Sequence, residues 1–282
     1  MNINSLKNHV VLITGGNSGI GRVTALELAK NGAHVFIACR SADKAQGVID
    51  DFNNFPMIGK IEHLPLDLSD FASIRACAKA FLEKELPLHI LINNAGVAGI
   101  KGQTEQGFEL TMGINHIGHF LLTQELLPAL LRTSPSRIVN VASRAHFYAK
   151  GIDFENITKT THSKFGIKEY CESKLANILF TRELSKRLKG TGVSSYAVHP
   201  GVVASDLWRH VLAPLRVIMK LFMTSNQRGA MTSLYCATSV RTAFESGNYY
   251  DSCRSKKPSL LALDSVLATK LWDMSEQWIK AH

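Results

Sequence analysis

Tyr170 and Lys174 stand one helical turn apart in the run Tyr170-Cys171-Glu172-Ser173-Lys174, which opens a helical pattern continuing to Leu188. That spacing puts a phenol and an ammonium on one helix face, within reach of a shared site. Free tyrosine titrates at about 10 and is a poor base at neutral pH. A lysine cation beside it favours the phenolate and lowers that value, so the phenol could pass a proton to or from a substrate oxygen. Alone, the pair is compatible with any amphipathic helix. It gains weight from Ser143, delivered at the end of the apolar strand expected over 137–142. In open α/β sheets the ligand crevice lies outside the carboxyl ends of the strands.

The stretch Thr14-Gly15-Gly16-Asn17-Ser18-Gly19-Ile20-Gly21 would supply the second half of the chemistry. It follows the apolar run Val10-Val11-Leu12-Ile13 and opens a helical pattern carrying Leu26, Leu28 and Ala29. Strand, glycine turn and helix are the context in which backbone N–H groups and a helix dipole hold a pyrophosphate. Gly15, Asn17, Ser18, Gly19, Ile20 and Gly21 are therefore read as a dinucleotide cradle. The next strand, over 33–40, ends in Cys39-Arg40, with no carboxylate until Asp43. An acid at that place would hold a ribose 2′-OH. Arg40, with Arg22 directly after Gly21, suits a 2′-phosphate instead, and NADP(H) is the expected cofactor.

Further strands are expected over 61–66, 88–92 and 194–199, with helical patterns between them. Ser69 or Asp70 would cap the helix through Ile74, Ala78 and Leu82. A long helix is expected over 108–131, with Asn115 inside it. The alternation defines an α/β fold: a single-domain, Rossmann-type, doubly wound parallel sheet with helices on both faces, spanning 1–282.

The chain has 282 residues, 45% hydrophobic and 20% charged, enough to bury a full core. Its five cysteines are scattered without C-x-x-C spacing, which argues for reduced thiols and against a zinc site. Cys171 is read as a packing residue. His116 and His119 lie three apart on one face but lack a carboxylate or thiol at ligand spacing, so no metal is expected. The net charge of +9 comes without a basic block interleaved with aromatics, which disfavours nucleic acid. No signal peptide and no bilayer-spanning apolar run is seen, and a cytoplasmic location is expected, with peripheral membrane contact as an open addition.

With these motifs assembled, the sequence resembles the short-chain dehydrogenase/reductase family, most closely its NADP-dependent retinol dehydrogenases. The resemblance rests on the glycine turn, Ala38-Cys39-Arg40, Leu66-Asp67-Leu68-Ser69, Asn93-Asn94-Ala95-Gly96 and Asn115-His116-Ile117-Gly118-His119-Phe120. It continues through Ser173 to Thr181, Val198-His199-Pro200-Gly201 and Ser246-Gly247-Asn248-Tyr249-Tyr250. By that resemblance Tyr170 is the general acid/base, Lys174 lowers its pKa and holds the ribose, Ser143 binds the substrate oxygen, and Asn115 holds a water that relays the proton. Asp67, Leu68, Asn94, Ala95, Gly96, Pro200, Gly201 and Val203 join the cofactor contacts. Relatives often carry a threonine a few residues after Gly201; here the nearest hydroxyl is Ser205. The implied substrate is a small apolar aldehyde, ketone or alcohol, retinal or retinol first. A double-bond reductase of the protochlorophyllide type and a non-catalytic NADP(H) sensor are the alternatives, and an oligomer is compatible with all of them.

Two segments bear on the substrate. The variable loop over about 144–169 contains Phe147, Tyr148, Phe154 and Phe165 and is read as one wall of an apolar site. The apolar stretch 211–223, within a substrate lid expected over about 204–224, is open to three readings: lid, membrane-surface helix or core. Leu267, Leu271, Met274 and Trp278 form the stripe of a closing helix.

Overall fold

The computed structural model describes residues 6–54, 58–201 and 225–282. Eight strands form one sheet: β1 (Val10–Thr14), β2 (His34–Cys39), β3 (Lys60–Pro65), β4 (Ile90–Asn93), β5 (Ser136–Val141), β6 (Val193–His199), β7 (Tyr249–Asp251) and β8 (Arg254–Lys256). Their order is β3-β2-β1-β4-β5-β6-β7-β8. All neighbours run parallel except β7 and β8, which close the edge as an antiparallel pair. The chain enters the sheet at β1, winds outward to β3, then returns to β4 and winds the other way. The reversal between β1 and β4 leaves a crevice at the carboxyl ends of the strands.

The apolar runs are continuous because the strands are covered on both faces. Successive side chains alternate, so Val10 and Leu12 enter one core while Val11 and Ile13 enter the other. In β2, Phe36 and Ala38 likewise part from Val35 and Ile37. The described helices are α1 (Gly19–Lys30), α2 (Ala42–Asn53), α3 (Phe71–Leu82), α4 (Leu110–Met112), α5 (Gly118–Arg132), α6 (Ile167–Arg187), α7 (Asn226–Thr238), α8 (Leu260–Leu263) and α9 (Ser265–Lys280). Helices α1, α2 and α7 feed the core that holds Val11, while α3, α5, α6, α8 and α9 feed the one that holds Leu12. This is the doubly wound parallel sheet expected from the sequence.

Asp70 caps α3, accepting from Ala72 N and Ser73 N. The long helix expected over 108–131 is interrupted. Gly113–Ile117 forms a π-helical turn between α4 and α5, and Asn115 sits in it. Such turns re-aim a residue without ending the helix and recur at functional sites. The strands β7 and β8 were not read from the sequence, since three residues each are too short to show a period. Trp278 of α9 packs against Phe108 at 5.9 Å, so the closing helix lies on the core as expected. Among the described residues no helix is long and apolar enough to cross a membrane.

Candidate active site

A cleft of about 690 Å³ opens at the switch point and collects most of the residues singled out above. Gly15, Asn17, Ser18, Gly19, Ile20 and Gly21 line one end, and Asn94, Ala95 and Gly96 line its floor. Gly15 turns through φ +66, and a Cβ on Gly21 would stand 2.2 Å from the Gly15 carbonyl oxygen. Only glycine tolerates that approach. The first turn of α1 carries no side-chain cap on Ser18, unlike α2 and α3, which are capped by Ser41 and Asp70. Its N–H groups remain available to an anion at the helix N-terminus.

Thr14 locks this cradle to the floor. Its Oγ1 accepts from Asn94 N and Ala95 N, each over 2.9 Å, and lies 2.8 Å from His119 Nε2. His119 Nδ1 faces the Asn115 carbonyl at 3.1 Å, so that nitrogen carries the hydrogen and Nε2 accepts from Thr14. Burial draws His119 down to about 4 and His116, which bonds Ser275 at 3.0 Å, down to about 3. Both histidines serve packing between elements.

Tyr170, Lys174 and Ser143 all line the cleft. The Lys174 ammonium stands 5.6 Å over the Tyr170 ring and donates to the Val141 carbonyl over 2.9 Å. Asn177 donates to the same carbonyl over 3.1 Å, fixing the end of β5 just before Ser143. Burial alone draws Lys174 down to about 8. Burial pushes the Tyr170 phenol up to about 12, against the pull of a hydrogen bond with Ser143. Desolvation of the phenolate outweighs that hydrogen bond.

Asn115 lies behind the floor, wholly buried, and does not line the cleft. Its Oδ1 accepts from Val97 N at 2.8 Å, and its Nδ2 donates to Val97 O and to Ser173 Oγ, each over 3.0 Å. The amide thus ties the floor to α6.

The far end of the cleft is lined by Arg40, Ser41, Lys44, Asp67 and Leu68. Arg40 is well exposed and stands 3.8 Å from Asp67. Lys44 was missed in the sequence, although it follows Arg40 in the first turn of α2, and Asp43 is not part of the lining. Arg22 is not brought to the cleft either: it is paired with Asp51 of α2. Pro200 and Gly201 line the cleft as well. Val203, Ser205 and the stretch expected as lid or membrane contact lie outside the described residues.

Of the loop aromatics only Tyr148 lines the cleft. Phe154 turns away to pack 6.4 Å from Trp278, while Phe147 and Phe165 are exposed. Buried acids hold this loop, which the sequence did not suggest. Glu169 accepts from His162 N and Ser163 N, Glu172 accepts from Asp153 N, and Glu109 pairs with Thr161. Lys168 closes the group on Asp153 at 2.6 Å. The five cysteines are free, and burial raises the Cys171 thiol, which suits packing.

This fold and cleft belong to a class, and the comparisons agree. The family model for short chain dehydrogenase matches residues 9–215, and the chain belongs to that family of oxidoreductases. Within it the chain falls in the retinol dehydrogenase group. It is 45% identical over 273 residues to retinol dehydrogenase 11 of Homo sapiens, covering 96% of this chain and 85% of that one. Retinol dehydrogenase 12 of Homo sapiens is 46% identical, with 96% and 86% covered. Among solved structures, an uncharacterised protein from Mycobacterium paratuberculosis superposes with a TM-score of 0.80 at 33% identity, covering 99% of this chain and 96% of that one. The Pseudomonas aeruginosa RhlG/NADP active-site complex does so with 0.72 at 27% identity, covering 88% and 96%.

Proposed function

We propose that this protein is an NADP(H)-dependent oxidoreductase of apolar aldehydes and alcohols, with a retinal-sized carbonyl as the first substrate. The observation that carries the reading is the meeting of Ser143, Tyr170 and Lys174 in one cleft with the glycine cradle. A cofactor sensor would need the cradle alone.

The residues fit the nicotinamide dinucleotide. The uncapped start of α1 and the close-packed Gly21 suit the pyrophosphate, and Arg40 with Lys44 suits a 2′-phosphate. Arg22 is held by Asp51, so Lys44 takes the place the sequence reading gave to it. The bound cofactor would supply the hydride, and the protein positions it.

The chain's own groups handle the oxygen. Ser143 donates to the substrate oxygen and orients it. Tyr170 gives that oxygen a proton in reduction and takes one in oxidation. With a phenol at about 12, Tyr170 is protonated across the neutral range, the state that carbonyl reduction requires. Lys174 holds the ribose and keeps a cation beside the phenol. Asn115 remains the holder of a relay water, since its Oδ1 accepts one N–H and has a second lone pair. Positioned acid–base groups of this kind contribute about 10²–10⁴-fold.

The loop 144–169 supplies Tyr148 as one wall, and the stretch 204–224 is retained as substrate lid on sequence grounds. The test is NADPH oxidation with a panel of aldehydes from two carbons to retinal size. Turnover that rises with apolar length supports the reading; NADPH binding without turnover on any carbonyl overturns it.

A further inference from the structure

Ser143 is held from three sides by groups that do not take part in the proposed chemistry. It leaves β5 in extended conformation, and Ala145 N donates to its Oγ over 3.1 Å. The next peptide N–H, on Arg144, donates to Nδ1 of His199 at the end of β6 over 3.3 Å. The Arg144 guanidinium donates twice to Asp251 Oδ2 of β7, over 2.9 and 2.7 Å. The Ser143 carbonyl faces Nδ1 of His146 at 2.6 Å, and Nε2 of that ring accepts from Ser259 N, at the cap of α8, over 3.1 Å.

These partners decide where each imidazole keeps its hydrogen. A ring nitrogen that faces a carbonyl must carry one, and a nitrogen that faces an N–H must not. His146 is therefore the Nδ1–H tautomer and His199 the Nε2–H tautomer. His199 is 3% exposed, and its Nε2–H finds no acceptor among the described residues. Burying an unpartnered donor costs free energy that an apolar side chain would not. Among the described residues, the hydrogen bond this ring makes is to the peptide that follows Ser143.

We propose that His199 and His146 are positioning residues for Ser143, two neutral rings of opposite tautomer that grip its peptide and carbonyl and so aim its hydroxyl at Tyr170. The proposal rests on the reading of Ser143 as the group that holds the substrate oxygen. Protonating His199 sets its Nδ1–H against the Arg144 N–H and releases that contact, whereas protonating His146 sets its Nε2–H against the Ser259 N–H and frees the ring from its anchor at α8. The groups facing His199 are Asp251, Arg144, His146 and Lys174, and Tyr249 faces His146 at 5.0 Å. Burial outweighs Asp251 and holds His199 down to about 4, and His146 is lowered as well, so both rings are neutral at physiological pH.

The test compares His199→Asn, whose Oδ1 can stand where Nδ1 accepts, with His199→Leu, which fills similar space without an acceptor. Amide hydrogen exchange at Arg144 and Ala145 reads the grip without reference to activity. Protection should fall in His199→Leu and persist in His199→Asn. Equal protection in wild type and His199→Leu overturns the proposal, even if the wild type proves inactive on every carbonyl. Given turnover, His199→Leu should lower kcat about 10- to 100-fold, the scale of a misplaced catalytic group. NADPH affinity should stay unchanged, and His199→Asn should recover most of the loss. In a Ser143→Ala background the leucine variant should lose nothing further. A proportional loss in that background means the ring acts elsewhere and sinks the idea. Should His199→Leu fail to fold, the acid limb of kcat decides: it should move to lower pH in His199→Asn, and an unmoved limb counts against His199.

Discussion

A phenol pushed up by burial is the feature of single residues that most shapes the chemistry. Tyr170 at about 12 stays protonated at neutral pH, so it holds the proton that carbonyl reduction needs, though it releases it less readily than a free phenol. Tyr170→Phe removes only the ionisable oxygen, so aldehyde reduction should vanish while NADPH affinity stays within about threefold, short of the tenfold that 1.4 kcal/mol represents. A titration by cofactor fluorescence beside the steady-state assay checks both halves, and retained turnover would remove Tyr170 from the mechanism. At the other end of the cleft, Arg40→Asp should erase or reverse the preference for NADPH over NADH. A single charge-assisted contact is worth about 1.5–3 kcal/mol, which corresponds to a relative shift of roughly 10- to 10²-fold. Lys44→Ala should give a smaller shift in the same sense, because it removes a cation without introducing repulsion. Equal binding of both cofactors by the unaltered protein would dispose of the 2′-phosphate argument.

Elements built from backbone approach make sharper predictions than elements built from propensity. At Gly21 an added Cβ would meet the Gly15 carbonyl oxygen at 2.2 Å and Asn94 Nδ2 at 2.5 Å, so the cradle must move. Gly21→Ala should cost at least about 1–3 kcal/mol, as overpacking does, and abolish cofactor binding. Among the described residues nothing lies within 4 Å of the Cβ position of Gly47 in α2, and Gly47→Ala should stabilise the protein by about 0.5–1 kcal/mol. Urea melts of the two variants should move in opposite directions; a shared direction would refute the packing argument. The contrast also marks what the sequence could convey. The cradle, Ser143 and the Tyr170–Lys174 pair were legible because each is a local pattern on a strand end or helix face. The π-turn around Asn115 was not, since a helix that gains one residue per turn keeps its apolar composition. Neither was the pairing of Arg22 with Asp51 or the grip on Ser143 through His199, Asp251 and Ser259. Those contacts join elements far apart in the chain, and no local period announces them.

Across the whole molecule the histidines set the acid limit. His116, His119 and His199 are drawn down to about 3, 4 and 4, and His34, His89 and His146 are lowered too, in each case chiefly by burial. Unfolding returns all of them to about 6.5. Between that value and about 4 the unfolded chain binds more protons than the native one, so stability is fully present above 6.5 and falls as pH falls. Glu172 works the other way over part of this range. Its carboxyl is raised to about 7, so its contribution is complete below about 4.5 and is lost as pH rises through 7. One carboxyl offsets one imidazole, and the histidines outnumber it. Each net proton of difference amounts to about 1.4 kcal/mol per pH unit. The urea midpoint should therefore drop steadily from pH 6.5 to 4.5, well before carboxylates such as Glu62 and Asp153, both at about 2, begin to protonate in the native state. Cofactor binding shifts this limit little, because five of the six rings lie outside the cleft lining. His199→Asn should shallow the slope and His116→Asn more so, its ring being shifted furthest. A midpoint unchanged between pH 6.5 and 5 would mean that these imidazoles are charged in the native state, which the hydrogen-bond directions at His119, His146 and His199 do not allow.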